Sequence, residues 1–377
     1  MIKKAIIAMS GGVDSSVAAY LMKESGYESI GITMRLFTNE DIGISWSKTC
    51  CSLKDIEDAS NACSTIGIPF YVNDFTHDFQ KEVVEKFIHI YQNGGTPNPC
   101  IDCNSSIKFP KLLLRAKQLC VDYIVTGHYA RIEYNDLTGQ YYLKKALDSS
   151  KDQTYFLYTL TQDMLAHILF PLGNLLKSDV RKIAKSIGIL NAEKVDSQDI
   201  CFVPDGNYTQ FIETYTGVVS QPGNFIDING KVLGTHQGLI RYTIGQRRGL
   251  GIALNKPMYV HSKNIIDNTV VLCEDSELFS NSLIATNFNW INKTNFDTPL
   301  KIKAKIRYNQ DEENAIATKY KDDSVLIHFE NPQRAIAPGQ AVVLYDDDVV
   351  VGGGTISVPY RQLPPAPPQR RGCIRNE

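Results

Sequence analysis

Lys4-Ala5-Ile6-Ile7-Ala8-Met9-Ser10-Gly11-Gly12-Val13-Asp14-Ser15-Ser16 is the stretch that decides the fold class. An apolar run stops at a serine and two glycines, and Val13, Val17 and Leu21 then recur at i, i+4 and i+8. That spacing predicts a helix opening directly after a buried strand. Glycines let backbone N–H groups approach an anion closely, and a helix N-terminus carries about half a positive charge. Ser10, Ser15 and Ser16 add hydroxyl donors for phosphate oxygens. Asp14 repels phosphate unless Mg²⁺ lies between them. The stretch matches neither G-x-x-x-x-G-K-[ST] nor G-x-G-x-x-G. A serine-capped glycine turn is the plain alternative, but position, spacing and residue types agree on a phosphate cradle.

Outward from this loop the strand–helix alternation continues to about residue 200. Strands are predicted at Ser29–Met34, Pro69–Val72 and Tyr123–Thr126, and helices at Leu53–Ile66, Phe79–Ile90, Ile107–Leu119 and Asp179–Ile187. Such a rhythm argues an α/β fold, a mostly parallel sheet covered by helices. Tyr129–Glu133 and Tyr141–Lys145 flank Asn135–Gly139 as a hairpin hanging off that domain. Beyond residue 205 short alternating runs dominate, with strands expected at Lys256–His261, Val270–Leu272, Leu300–Tyr308, Val325–Phe329 and Ala341–Tyr345. The expected organisation is a catalytic α/β domain at 1–204, a small mixed or β domain at 205–276 and a C-terminal β-barrel at 277–358. A disordered, proline-rich tail follows at 359–377.

Composition narrows the class. The chain has 377 residues, nine cysteines and a formal net charge of −2. No apolar run approaches the roughly 20 residues of a membrane span. The first residues lack the long apolar region and cleavage site of a signal peptide, so a cytosolic location is expected. An odd cysteine number in a large chain argues against a disulfide scaffold. With no global basic field, any nucleic acid must use local patches.

Two cysteine segments stand out, Thr96–Asn104 and Asp196–Phe202. Two prolines predict a loop before Asn104 or Ser105 caps the next helix. Cys103 would then precede a helix N-terminus, where a thiol pKa falls. Three readings of Cys100, Cys103 and Cys201 compete: buried small residues, a three-cysteine metal or iron–sulfur site, and persulfide chemistry with one carrier and one resolving thiol. A proline-rich loop buries little, and Cys100-x-x-Cys103 lacks a partner pair, so the third reading is preferred. Lys301, Lys303, Lys305 and Arg307 alternate with apolar residues and would share one strand face, able to track a phosphate backbone or to guard a sheet edge. Tyr308 beside Arg307 tilts this towards RNA. Lys144, Lys145 and Lys151 form a second basic cluster, and Arg241, Arg247 and Arg248 a third. His128 is expected to make a structural hydrogen bond.

Ser10–Ser15 resembles the pyrophosphate-binding motif of the PP-loop ATP pyrophosphatases, an adenine nucleotide alpha hydrolase-like fold. That resemblance implies ATP as substrate, cradled by Ala8, Met9, Ser10, Gly11, Gly12, Val13, Asp14 and Ser15, with Met34 and Gly127 at the adenosine. The wider pattern covers Met9 to about Ile356: Ser10–Ser16, Pro97–Asn104 with Ile107–Phe109, Thr126–Ala130, Lys151–Leu157, Ile200–Phe202 and Ile244–Gly251. Together these segments resemble the MnmA-type tRNA 2-thiouridylases. The resemblance implies Cys103 as nucleophile, Cys201 as persulfide carrier and an alternate Cys103–Cys201 disulfide. It places the target base, the wobble uridine, against Asn98, Pro99 and Cys100. It places tRNA contacts at Lys151, Asp152, Gln153, Arg307 and Tyr308. It names a cysteine desulfurase or sulfur-carrier protein as donor. Many members carry Asp where this chain has Cys100. Rival readings are an ammonia-using PP-loop synthetase, a cluster-dependent tRNA thiolase and a non-catalytic tRNA-binding protein.

Overall fold

The apolar run Lys4–Ala8 forms strand β1, whose Ala5, Ile6 and Ile7 are fully buried because helices cover both faces of its sheet. A computed structural model describes residues 2–38, 53–189, 200–203, 205–292, 298–321 and 324–359. After β1 come α1 (Val13–Glu24), β2 (Glu28–Arg35), α2 (Leu53–Ile66) and β3 (Phe70–Asp74). Next is a helical run of α3 (Thr76–Phe79), a π-helical segment (Gln80–Glu85) and α4 (Lys86–Gln92). A second run joins α5 (Pro99–Asp102), a π-helical segment (Cys103–Lys108) and α6 (Phe109–Gln118). Then follow β4 (Tyr123–Val125), the hairpin β5 (Arg131–Asn135) and β6 (Gln140–Lys144), α7 (Gln162–Leu165), β7 (Ile168–Leu169) and α8 (Lys177–Ser186).

The first sheet runs β3-β2-β1-β4-β7, every pair parallel. The chain winds outward from β1 through β2 and β3, then crosses to β4 on the other side. That reversal makes the C-terminal ends of β1 and β4 a topological switch point, where open α/β sheets bind ligands.

Helix α9 (Tyr208–Thr216) leads into a sheet of β8 (Gly223–Asp227), β9 (Val232–His236), β10 (Tyr259–Asn264) and β11 (Thr269–Cys273), ordered β10-β11-β8-β9. The C-terminal strands are β12 (Phe279–Trp290), β13 (Leu300–Lys305), β14 (Glu313–Lys319), β15 (Val325–Arg334), β16 (Ala341–Asp346) and β17 (Val349–Pro359). Their order β12-β15-β14-β13-β16-β17 closes through β12–β17 into an antiparallel barrel. The architecture is thus a parallel α/β domain, a small β domain and a β-barrel.

Several expectations need correction. Residues 97–104 are helical from Pro99 onward, because proline at the first helical position forfeits no hydrogen bond. The β5–β6 hairpin does not hang free: Lys144 pairs with Val349, so it extends the barrel sheet. The strand predicted to Tyr308 ends at Lys305, and Arg307 lies in a bend. Strand β13 is paired on both sides, so its lysines guard no sheet edge. Residues 190–199 and 360–377 lie outside the described residues, and with them Asp196–Asp199 and the proline-rich tail.

One hydrophobic cluster unites the units. It holds Ile6, Phe79, Phe87, Ile107, Phe109 and Tyr155 of the first domain, Phe211 of α9, and Val343 and Tyr345 of the barrel. The run Lys151–Leu157 docks the barrel directly, since Tyr155 Oη donates to Ala341 O at 2.9 Å.

Candidate active site

Ser10–Ser15 spans the gap between β1 and α1. Gly11 has φ +72°, and a Cβ there would stand 2.4 Å from Asp55 O on α2. Only glycine fits. Gly12 is the N-cap of α1, in extended conformation and with no side-chain cap. The first-turn amides of α1 therefore lack a side-chain acceptor, which is the arrangement an anion uses. Ser10 N donates to Ser15 Oγ at 3.2 Å, and Ser15 Oγ donates to Gly12 O at 3.0 Å, so the serines tie the loop shut on itself. Gly127, past the end of β4, backs onto the start of α1: a Cβ there would meet Asp14 C at 2.8 Å and Ser15 N at 2.9 Å. Ala8 is half-buried, while Met9 and Met34 are buried beside the loop's strands.

Asp14 is already compensated. Lys177, at the start of α8, places Nζ 2.8 Å from both carboxylate oxygens, and Tyr129 Oη donates to Oδ1 at 2.9 Å. Lys177 is buried, and its own N–H donates to Asp148 Oδ2 at 2.9 Å. Among the described residues no group of three or more His, Cys, Asp or Glu side chains comes together to hold a metal ion. Asp14 is thus a single lysine-paired carboxylate. A lone carboxylate already paired with a lysine does not fit a resident Mg²⁺ site.

Cys103 sits one turn inside the α5–α6 run, not before its N-terminus. It is half-buried against the shared hydrophobic cluster. Burial pushes its thiol above the ordinary value; the Lys108 cation pulls it down and Asp102 pushes it up. The pKa lowering expected from a helix N-terminus is therefore overturned, since desolvation disfavours the thiolate more than the neighbouring cation favours it. The turn is far from exposed: Pro99, Ile101, Asp102 and Asn104 are buried, whereas Cys100 is exposed. Asp102 pairs with Lys86, yet burial still raises its carboxyl pKa. Asn104 Nδ2 donates to Phe156 O at 3.1 Å, while its buried Oδ1 has no partner.

Cys201 packs against the same cluster from the turn after the undescribed segment. Its neighbour Phe202 anchors that turn, meeting Phe79, Phe87 and Phe211 with centroids 5.7, 5.2 and 5.3 Å away. No disulfide joins Cys103 to Cys201, so the pairing implied by resemblance is not made in this structure. A disulfide needs Cβ atoms about 3.5–4.5 Å apart, and the helical backbone fixes one of them. Cys100, Cys103 and Cys201 do not come together as a ligand group.

The residues expected to meet RNA divide. Asp152 accepts from Ala146 N at 2.9 Å, and Gln153 Oε1 accepts from Tyr129 N at 2.9 Å, so both side chains brace the fold. Lys151 beside them is half-buried. Tyr308 packs at a tilt of 41° against Phe156, centroids 4.5 Å apart, with Lys305 Nζ 5.7 Å from its ring centroid. Phe156 thus links Tyr308 to Asn104, next to Cys103. Arg307 donates inward to Ala335 O at 2.5 Å. His128 is hydrogen-bonded to Thr126 Oγ1 at 2.7 Å, and burial pushes its imidazole pKa well below the ordinary value.

Sequence comparisons agree with this layout. Residues 3–205 match the family described as tRNA methyl transferase HUP domain, 209–274 its PRC-barrel domain and 280–356 the aminomethyltransferase beta-barrel domain. The tRNA-specific 2-thiouridylase MnmA 1 of a Thermoanaerobacter species is 49% identical over 354 residues, 94% of this chain and 97% of that protein. The MnmA of Clostridioides difficile is 48% identical over 356 residues, 94% and 98% of the two chains. The chain belongs to the MnmA family of tRNA-specific 2-thiouridylases. Four residues of this family member escaped the sequence reading: Lys177, Tyr129, Lys86 and Phe156. Tyr129 lies in the Thr126–Ala130 motif, a signal that was present. Nothing in spacing points Lys177 at Asp14, 163 residues away.

Proposed function

We propose that this protein uses ATP to replace the C2 oxygen of the wobble uridine in tRNA with sulfur. The observation that carries the reading is the placement of two thiols, Cys103 and Cys201, against one core cluster. The C2 oxygen is a poor leaving group, and adenylation converts it into AMP. Uracil O2 attacks the α-phosphorus of ATP and pyrophosphate departs, held by residues 8–15 and the first-turn amides of α1. Met34 and Gly127 border the adenosine.

A persulfide on Cys201 then supplies sulfur. Its terminal sulfur attacks C2, a C–S bond forms and AMP leaves. Cys103 thiolate next attacks Cys201 Sγ, the S–S bond to the base breaks, and the C2 thiocarbonyl is released. The two cysteines end as a disulfide, which an external thiol reductant must open. In the alternative order, Cys103 first releases hydrosulfide, which displaces AMP itself. The base sits against Asn98, Pro99 and Cys100, flipped from its stack as chemistry on a base requires. Lys151, Asp152, Gln153, Arg307 and Tyr308 build the tRNA surface, with Lys151 and Tyr308 reaching the RNA and the inward-bonded Asp152, Gln153 and Arg307 positioning them. A cysteine desulfurase or sulfur carrier loads Cys201, and a substrate of this kind puts the enzyme in the cytosol. The boundaries 1–204, 205–276 and 277–358 separate catalysis, linkage and RNA binding.

Nucleoside mass spectrometry of tRNA incubated with enzyme, ATP and a persulfide donor tests the proposal. Oxygen-for-sulfur exchange on uridine, with AMP and pyrophosphate formed, is the expected result. The family descriptions also carry the words methyl transferase. Methylated nucleoside formed from an added sulfonium methyl donor, with no sulfur incorporated in the presence of ATP and persulfide, would favour that chemistry and sink this one.

A further inference from the structure

Three arginines from separate elements converge where the central sheet meets the barrel. Arg334 ends β15, Arg307 follows β13, and Arg247 lies in the loop before β10. The guanidinium carbons of Arg334 and Arg247 stand 4.9 and 5.9 Å from the Tyr259 ring centroid. A Cβ built on Gly245 would lie 3.5 Å from one Arg334 nitrogen and 4.0 Å from one of Arg307. Those two guanidiniums therefore flank the same glycine.

The charge is not balanced. Asp275 pairs with Arg334 at 2.9 and 3.0 Å. Arg307 spends a donor on the neutral Ala335 carbonyl. Arg247 is exposed, and among the described residues no carboxylate pairs with it. One carboxylate thus serves three guanidiniums. Like charges gathered this way repel unless an anion joins them, and a planar guanidinium on an aromatic face is pre-organised for phosphate. The cluster also continues the Tyr308 surface, because Arg307 is next in sequence to Tyr308.

The geometry points to Arg247, Arg334 and Tyr259 as a phosphate-binding seam that grips the tRNA backbone and extends the RNA surface from Arg307 and Tyr308 onto the central domain. The inference rests on tRNA being the substrate.

The test measures tRNA affinity against salt concentration by fluorescence anisotropy, for full-length protein. Arg247→Ala should weaken binding several-fold at moderate salt and reduce the log–log salt slope by about 0.7–0.9, one phosphate contact. Arg247→Lys should keep the slope but lose part of the affinity, since it keeps charge and loses the planar stack. Arg334→Ala combined with Asp275→Ala removes the pair without stranding a carboxylate, and should also lower the slope. Lys182→Ala, which removes an exposed cation on α8, should leave the slope unchanged. Wild-type slopes in both arginine variants, with tRNA binding intact, would overturn the seam. Absence of tRNA binding by the wild-type protein would instead overturn the reading beneath it.

Discussion

The glycine loop at Ser10–Ser15 and the cysteine turn at Pro97–Asn104 are two candidate reactive segments of one domain, and they behave oppositely. In the loop, backbone conformation decides the geometry: Gly11 takes φ +72° and Gly12 caps α1. In the cysteine turn, surroundings decide it. Local sequence predicts an exposed loop and an acidified thiol, yet packing makes a helix and burial pushes the Cys103 thiol pKa up. Such backbone geometry is legible over a few residues. The reactivity of a side chain depends on whatever buries it.

The largest expected effect breaks the cysteine side of this contrast. Cys103→Ser or Cys201→Ser should cut turnover with a persulfide donor by roughly a thousandfold or more. Thionucleoside quantification checks this. Cys103→Ser should still load sulfur on Cys201, visible by persulfide labelling, and excess sulfide should restore part of the activity of Cys201→Ser. Cys100→Ser should cost less than either. Rapid turnover by the Cys103→Ser, Cys201→Ser double variant would remove the thiols from the mechanism.

A smaller effect sharpens the loop side. Lys177→Met leaves the Asp14 charge beside the incoming phosphates without its 2.8 Å partner. ATP KM should rise about 10–100-fold, by the loss of a buried charge pair of a few kcal/mol. Asp14→Asn added to it should recover part of the loss. An unchanged KM would make the pair purely structural.

The smallest effect compares charge with burial at Cys103. Its thiol titrates above the ordinary range, so a step needing the thiolate should gain rate as pH rises towards that value. The Asp102 carboxylate holds the pKa up, so Asp102→Asn should move the rising limb to lower pH. The Lys108 cation holds it down, so Lys108→Met should move the limb to higher pH. Single-turnover pH–rate profiles read both directions; a limb that moves in neither variant leaves burial as the sole control.

The parallel sheet and the glycine turn between β1 and α1 were legible in the residues. Helices α2 and α6 lie at or close to their periodic patterns, because an apolar face recurring every three to four residues has one way to be buried. Strand β12 was missed, since its short polar interruptions hide an antiparallel alternation that only pairing with β15 and β17 resolves. The helical start at Pro99 was missed because proline is read as a breaker, although at the first helical position it is neutral.

By itself the sequence determined what depends on neighbouring residues. The alternation of strands and helices follows from hydrophobic period, and the turn between β1 and α1 follows from glycine backbone freedom before a helix. Tertiary structure alone decided what depends on distant atoms. It brought Lys177 to Asp14, Phe202 into its aromatic nest, and Arg307 to Arg334 beside Gly245. It also raised the pKa of the Cys103 thiol by burial. Desolvation and Coulomb energy are sums over everything within several ångströms, and in a folded chain most of those atoms come from far along the sequence.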